Sequence, residues 1–179
     1  WVAQIDDARR IPEYLARAFA TATSGRPGPV VLALPEDMLR DKVAAPSAQA
    51  YRRVVTRPGA EDLAAFTQRL TRARKPLLVL GGSGWSPDGV AAITRFAEAW
   101  DLPVGCSFRR QDRLDNMSEH YVGDVGIGIN PKLAARVKES DCLVLLGGRL
   151  GEMPSSGYSL LQIPDPAQPF IHVHAGAEE

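Results

Sequence analysis

The sequence predicts an α/β fold, in which a parallel β-sheet carries helices on its faces. Short continuous apolar runs, such as Leu77–Leu80 and Cys142–Leu146, are typical of strands that are buried on both faces. Between these runs, apolar residues recur at the spacing of one face of a helix. Strands that alternate with helices favour a parallel sheet joined by right-handed crossovers.

The first predicted element is a helix over residues 10–24. Pro12 suits a first helical turn, and Gly25 can take the left-handed conformation that ends a helix. The run Val30–Leu34 then predicts a strand buried on both faces. No element is predicted before the helix, and one helix with one strand cannot enclose a core. Residues 1–40 are therefore expected to be the tail of a domain whose main body lies elsewhere. The apolar face of the helix comprises Ile11, Leu15, Ala18, Phe19 and Ala22.

A connector and a second domain are predicted to follow. Residues 41–57 are rich in Ala, Pro, Ser and Arg and show little periodicity, which is typical of a linker. Residues 58–179 are predicted to form a central domain with long loops over 107–130 and 147–168. Its three helices are predicted to follow Pro58 and to begin near Pro87 and Pro131. Its four strands are predicted at Leu77–Leu80, Leu102–Cys106, Cys142–Leu146 and Phe170–Val173, with a short extended piece at Tyr121 and Val122.

Composition excludes some classes of partner. The 21 basic and 21 acidic residues cancel, so the chain offers no general attraction for nucleic acid or an anionic membrane. No apolar run approaches the roughly 20 residues that a membrane helix needs. Cys106 and Cys142 both fall in predicted strands and are expected to be buried core thiols. Unpaired cysteines favour a cytoplasmic location.

The carboxyl ends of the predicted strands are the expected ligand edge of the sheet. Gly82, Ser83 and Gly84 lie between a strand and a helix, where glycine lets backbone N–H groups approach a phosphate. The alternative is a tight turn without a ligand. Arg149 and Arg109 follow two other strands, and a guanidinium can pair with phosphate in a bidentate way. The alternatives are a salt bridge for Arg149 and a solvated loop for Arg109.

The sequence predicts neither a metal site nor a catalytic nucleophile. His172 and His174 alternate along one strand without a nearby third ligand, so no metal site is predicted. Neither a nucleophile paired with a base nor a Gly-x-Ser-x-Gly motif is found. No catalytic residue is therefore predicted within this chain.

Several segments resemble thiamine-diphosphate-dependent enzymes of the acetolactate synthase and benzaldehyde lyase type. The segment Ser24–Asp37, reading SGRPGPVVLALPED, resembles the end of their first, pyrimidine-binding domain. The segments Lys75–Gly84, Asp141–Leu150 and Phe170–His174 resemble their Rossmann-like central domain. The resemblance covers nearly the whole chain. It implies a carbon–carbon bond-cleaving or bond-joining parent that uses thiamine diphosphate and Mg²⁺ and assembles as a dimer or tetramer.

The resemblance also implies a nucleotide crevice, which holds FAD in some family members and ADP or an acyl-CoA in others. In flavin-containing relatives a Gly-x-Arg segment touches the cofactor, and Arg149 matches that arginine. Acetolactate synthases also carry a Gly-Met-His-Gly segment on the flavin, whereas this chain reads NMSEHYVGD over residues 116–124. That departure argues against FAD and favours the lyase-like and decarboxylase-like branches.

The residues that hold thiamine diphosphate in the family are not matched in this chain. Glu36 lies at the wrong end of its strand to be the activating glutamate, and Gly123-Asp124 does not continue as Gly-Asp-Gly. The expected role of this chain is therefore that of a non-catalytic central fragment, which is structural and a candidate nucleotide-binding domain. The parent enzyme, with the missing domains of the same chain, is expected to act on 2-keto acids or 2-hydroxy ketones. The alternatives are a self-contained Rossmann-like module that binds FAD, NAD or ADP, and an oligomerisation domain without a ligand.

Overall fold

A computed structural model describes residues 1–44, 50–176 and 179. The chain divides into two compact units, one containing Trp1–Arg57 and the other Pro58–His174. Part of the predicted connector, residues 45–49, lies outside the described residues. The domain boundaries predicted at residues 40 and 57 remain predictions. Each unit is described separately below.

The first unit contains a two-stranded parallel sheet and one helix. Strand β1 (Val2–Gln4) pairs with β2 (Val31–Ala33), and helix α1 (Ile11–Thr23) connects them. Helix α1 is confirmed, with Pro12 in its first turn. The prediction that no element precedes this helix was wrong, because β1 does. Only three residues form β1, too few to give an apolar run in the sequence.

The prediction that the second strand is buried on both faces was also wrong. Val31 is 55% exposed, because β2 has only β1 as a neighbour among the described strands. Part of the apolar face of α1 is exposed too: Leu15 is 44% exposed and Phe19 is 57% exposed. The buried residues of this unit form a small cluster of Ile5, Ala8 and Met38. The first unit therefore exposes much of the apolar surface that the sequence predicted to be internal.

The second unit is a five-stranded parallel sheet flanked by helices, which confirms the predicted fold class. Its strands are β3 (Pro76–Leu80), β4 (Val104–Ser107), β5 (Tyr121–Val125), β6 (Cys142–Leu146) and β7 (Phe170–Val173). Its helices are α2 (Ala60–Arg72), α3 (Pro87–Trp100) and α4 (Pro131–Glu139). The strand order is β5-β4-β3-β6-β7, and every pairing is parallel.

Sequence signals explain where the helices begin. The Ser86 side chain accepts a hydrogen bond from the Gly89 N–H at the start of α3, and Asn130 caps α4 in the same way. A proline follows each cap, at a position where its missing N–H leaves no helical bond unmade. These caps fix the points at which the chain leaves the sheet and enters a helix.

Strand β3 separates two apolar clusters. Leu78 and Leu80 belong to one cluster, and Leu77 and Val79 belong to the other. Because successive side chains of a strand point to opposite faces, a continuous apolar run fills both layers. Residues of the second cluster line an apolar cavity of about 10 Å³, which is too small for an organic ligand.

The strand at Tyr121–Val125 differs from the prediction of a loop with a short extended piece. Gly123 interrupts its apolar pattern with φ of +120°, and the pairing register with β4 shifts between Val104 and Gly105. The strand lies at one edge of the sheet, where only one neighbour is needed. An irregular edge strand of this kind gives no clear periodicity in the sequence.

Asp141 joins the amino ends of β3 and β6. Its carboxylate accepts hydrogen bonds of 2.8 Å from the N–H groups of both Arg74 and Lys75. These hydrogen bonds, led by that from Arg74, lower the pKa of the Asp141 carboxyl. One side chain thus aligns two adjacent strands. Asp141 is 67 residues from Arg74 and 66 residues from Lys75 in the sequence.

Candidate functional site

The candidate site lies at the carboxyl edge of the sheet, where its strand order reverses. The chain runs outward from β3 to β4 and β5, and then returns to the other side of β3 to form β6 and β7. The reversal therefore lies between β3 and β6. In open parallel sheets, ligands bind outside the carboxyl ends of the strands at such a point.

Two glycine pairs meet at this reversal. A Cβ atom placed on Gly81 would lie 2.9 Å from Cα of Gly148. A Cβ atom placed on Gly82, where φ is +73°, would overlap the carbonyl group of Gly147. Glycine at these positions allows the turns after β3 and β6 to pack backbone against backbone. The predicted turn is present, but at Gly82 the nearest group is protein backbone.

Ser83 and Gly84 differ from Gly82 in their surroundings. Both are exposed, and within the described part of the chain no atom lies within 4 Å of a Cβ placed on Gly84. Gly84 has φ of +82°, so its conformation alone favours glycine. The backbone of Ser83 and Gly84, in the turn after β3, is therefore accessible to a ligand.

Arg109 is presented from the turn after β4. The Arg110 N–H donates to the Ser107 carbonyl at 2.9 Å, and Arg109 has φ of +58°, which is uncommon for a residue other than glycine. Its guanidinium lies 5.1 Å from the centre of the Phe108 ring. With the residues that the structure describes, the exposed guanidinium forms no ion pair. It is therefore a positioned cation at the ligand edge.

Arg149 follows β6, on the opposite side of β3 from Arg109. Its Nη1 atom donates to Oε1 of Glu179 at 2.7 Å, and its side chain is 51% exposed. This contact is the salt bridge that the sequence left open as an alternative. The two arginines thus lie on either side of strand β3 along the same edge.

Two contacts at this edge have no counterpart in the sequence predictions. The Trp85 indole Nε1 donates to the Gly81 carbonyl at 2.8 Å and lies against Gly147. His172 Nε2 donates to the Gly148 carbonyl at 2.7 Å, which attaches β7 to the turn after β6. A tryptophan five residues after a strand end, directly before a helix cap, is the one sequence signal that could have indicated the first contact.

Asp124, a half-buried polar residue of β5, pairs with Cys106 of the adjacent strand β4. Burial raises the pKa of the Asp124 carboxyl, while a hydrogen bond from Gln111 opposes that shift. Burial, followed by the charges of Asp124 and Asp112, raises the pKa of the Cys106 thiol to about 11. Cys106 and Cys142 are both buried free thiols, as expected. Cys106 therefore remains protonated and is not a nucleophile at neutral pH.

We expect Asp124→Asn to raise the free energy of unfolding at neutral pH. A folded pKa above the unfolded value means that the carboxyl favours folding when protonated. That contribution is complete below the unfolded pKa and is lost as pH rises through the folded pKa. Urea unfolding should give Asp124→Asn a larger free energy of unfolding than the parent chain at pH 7. The difference should vanish at about pH 3.

Asp141→Asn is the control for this prediction, because the pKa of Asp141 is lowered by its backbone partners. That variant should be less stable than the parent chain at neutral pH, and its deficit should shrink as pH falls through the folded pKa. Equal pH profiles for the Asp124 variant and the parent chain would contradict the role assigned to burial.

The residues present do not fit a Mg²⁺-diphosphate group. Asp124 lies within β5 beside Gln111, and the exposed Glu36 accepts a hydrogen bond from Arg40 at 2.9 Å. Within residues 1–44, 50–176 and 179, no group of three His, Cys, Asp or Glu side chains could hold a metal ion. Over the same residues, no helix has the length and apolar character needed to cross a membrane.

Comparisons with known proteins give consistent matches. The family model described as "Thiamine pyrophosphate enzyme, central domain" matches residues 63–179. The chain is 30% identical over 149 residues to the acetolactate synthase isozyme 2 large subunit of Escherichia coli K12, covering 83% of this chain and 27% of that protein. It is also 30% identical over 147 residues to the acetolactate synthase large subunit of Corynebacterium glutamicum, covering 79% of this chain and 23% of that protein.

A solved structure gives the same result. A putative thiamin diphosphate-dependent enzyme from Mycobacterium smegmatis matches with a TM-score of 0.61 and 30% identity, covering 80% of this chain and 28% of that one. The chain thus spans about a quarter of the length of these relatives.

Proposed function

Because the chain belongs to the thiamine pyrophosphate enzyme central-domain family, we propose that it is the non-catalytic central part of a larger enzyme. That enzyme would join or cleave a carbon–carbon bond in 2-keto acids or 2-hydroxy ketones, in the manner of an acetolactate synthase, a lyase or a decarboxylase. Thiamine diphosphate and Mg²⁺ would be held by other domains of the same polypeptide. This segment would space those domains and contribute to a dimer or tetramer.

The observation that carries the non-catalytic role is the packing at the strand reversal. At the edge where a parallel sheet ordinarily binds a ligand, the turns after β3 and β6 pack together, with Gly81 and Gly82 against Gly147 and Gly148. Arg149, on the same edge, is paired with Glu179. Ser83, Gly84 and Arg109 keep accessible groups, and of the five predicted cofactor-binding positions we retain these three as candidate contacts for a small anion.

The first unit supports the proposal that residues 1–40 belong to a separate, pyrimidine-binding domain. Its sheet has two strands, and Val31 and Phe19 expose apolar surface that a larger domain would cover. Residues 41–57 would then be the linker, and residues 58–179 the central domain. Two free buried cysteines suit a reducing compartment, so we also propose a cytoplasmic location.

The test compares this 179-residue chain with the longer polypeptide encoded by the uninterrupted reading frame around it. Both would be titrated with thiamine diphosphate and Mg²⁺ by calorimetry and assayed for CO₂ release from a 2-keto acid. We expect the longer polypeptide to bind the cofactor and turn over, and this chain to do neither. Turnover by this chain alone would overturn the non-catalytic role. An inert longer polypeptide would overturn the proposed chemistry.

A further inference from the structure

The indole of Trp85 covers the point where the strand order reverses. Its Nε1 atom lies 2.8 Å from the carbonyl oxygen of Gly81, the first residue after β3. A Cβ atom placed on Gly147, the first residue after β6, would lie 3.3 Å from the same nitrogen and 3.6 Å from Cζ2 of the ring. One side chain therefore contacts the ends of both strands that flank the reversal.

The indole is held in place by three kinds of contact. Its single N–H donor is used by the Gly81 carbonyl. The ring is partly buried against the apolar cluster that contains Leu80 and Cys106. The next residue, Ser86, caps helix α3 and so fixes the backbone on which the ring is mounted. The position of the ring is thus built into the fold.

We propose that Trp85 is a specificity-determining residue that excludes adenine dinucleotides, such as FAD and NAD, from this crevice. In doubly wound sheets, a dinucleotide lays its pyrophosphate over the glycine turn after the first strand and against the start of the following helix. Here the indole lies against both Gly81 and Gly147, where the turns after β3 and β6 meet. The inference rests on the proposed function only in taking the β3–β6 reversal as the family's ligand edge.

The test measures FAD binding to the complete chain by calorimetry and by flavin fluorescence. Trp85→Ala removes the ring, Trp85→Phe keeps an aromatic ring without the N–H, and Trp100→Ala removes a tryptophan at the far end of α3. We expect Trp85→Ala to bind FAD at least about tenfold more tightly than the other three proteins. Equal binding by the parent chain and Trp85→Ala, including no binding by either, would overturn the proposal.

A second measurement is made on the parent chain and uses a variant only to assign one signal. The indole N–H signal of Trp85 in an NMR spectrum of the parent chain, assigned with Trp85→Phe, should not move when FAD is added. A shift of that signal with saturation would show that FAD enters the crevice, and would overturn the proposal. Neither measurement uses thiamine diphosphate, so a failure of the proposed enzymatic chemistry would leave both results interpretable.

Discussion

Replacing Gly82 with alanine is expected to lower the free energy of unfolding of the second unit by about 3 kcal/mol. The left-handed backbone at Gly82, with φ of +73°, costs a non-glycine residue about 1–2 kcal/mol. The added Cβ would also overlap the Gly147 carbonyl, so one of the two turns must shift. Overpacking of that kind costs about 1–3 kcal/mol.

Gly84→Ala is the matched control for this prediction. Gly84 has a similar φ of +82°, but a Cβ there would meet none of the described atoms within 4 Å. That variant should lose only the conformational part, about 1–2 kcal/mol. Urea unfolding followed by circular dichroism would measure both losses. Equal losses for the two variants would show that contact between the turns after β3 and β6 contributes nothing.

Leu80→Ala is expected to destabilise the same unit by about 2–5 kcal/mol. Leu80 is 0% exposed and ends the central strand β3, with β4 on one side and β6 on the other. Removing its side chain loses the transfer free energy of the deleted atoms and leaves a cavity in a sheet that cannot collapse around it.

Leu63→Ala is the corresponding control, because Leu63 lies on α2 and is 51% exposed. Its free energy of unfolding should stay within about 0.5 kcal/mol of the parent value. Thermal and urea unfolding of the two variants would be compared under one condition. If Leu63→Ala lowered the free energy of unfolding as much as Leu80→Ala, the Leu63 side chain would have to be buried in solution.

The elements that the sequence predicted well are those fixed by local signals. Continuous apolar runs identified β3 and β6, and Pro87 and Pro131 identified the starts of α3 and α4. Strand β5 was missed because Gly123 interrupts it and only β4 pairs with it. Burial of β2 was predicted wrongly. An apolar run shows that a strand is suited to burial, but its exposure depends on the elements that pack against it.

The sequence predicted where the candidate site lies in the sheet, but not which residues contact one another there. Alternating strands and helices place the loops after β3, β4 and β6 at one edge, whatever their detailed structure. The contact between Gly82 and Gly147 joins positions 65 residues apart, and no local pattern encodes it. The same holds for the Trp85 ring, whose place depends on how closely the two glycine turns approach.

The carboxylate of Asp141 has a consequence for substitutions at the candidate site. Asp141 directly precedes β6, and its carboxylate accepts hydrogen bonds from two consecutive N–H groups that precede β3. This contact aligns the central strands at the end of the sheet opposite the ligand edge. A substitution in the loops at the opposite end of the sheet leaves this contact in place. The alignment of β3 with β6 therefore rests on a contact outside the loops where a ligand would bind.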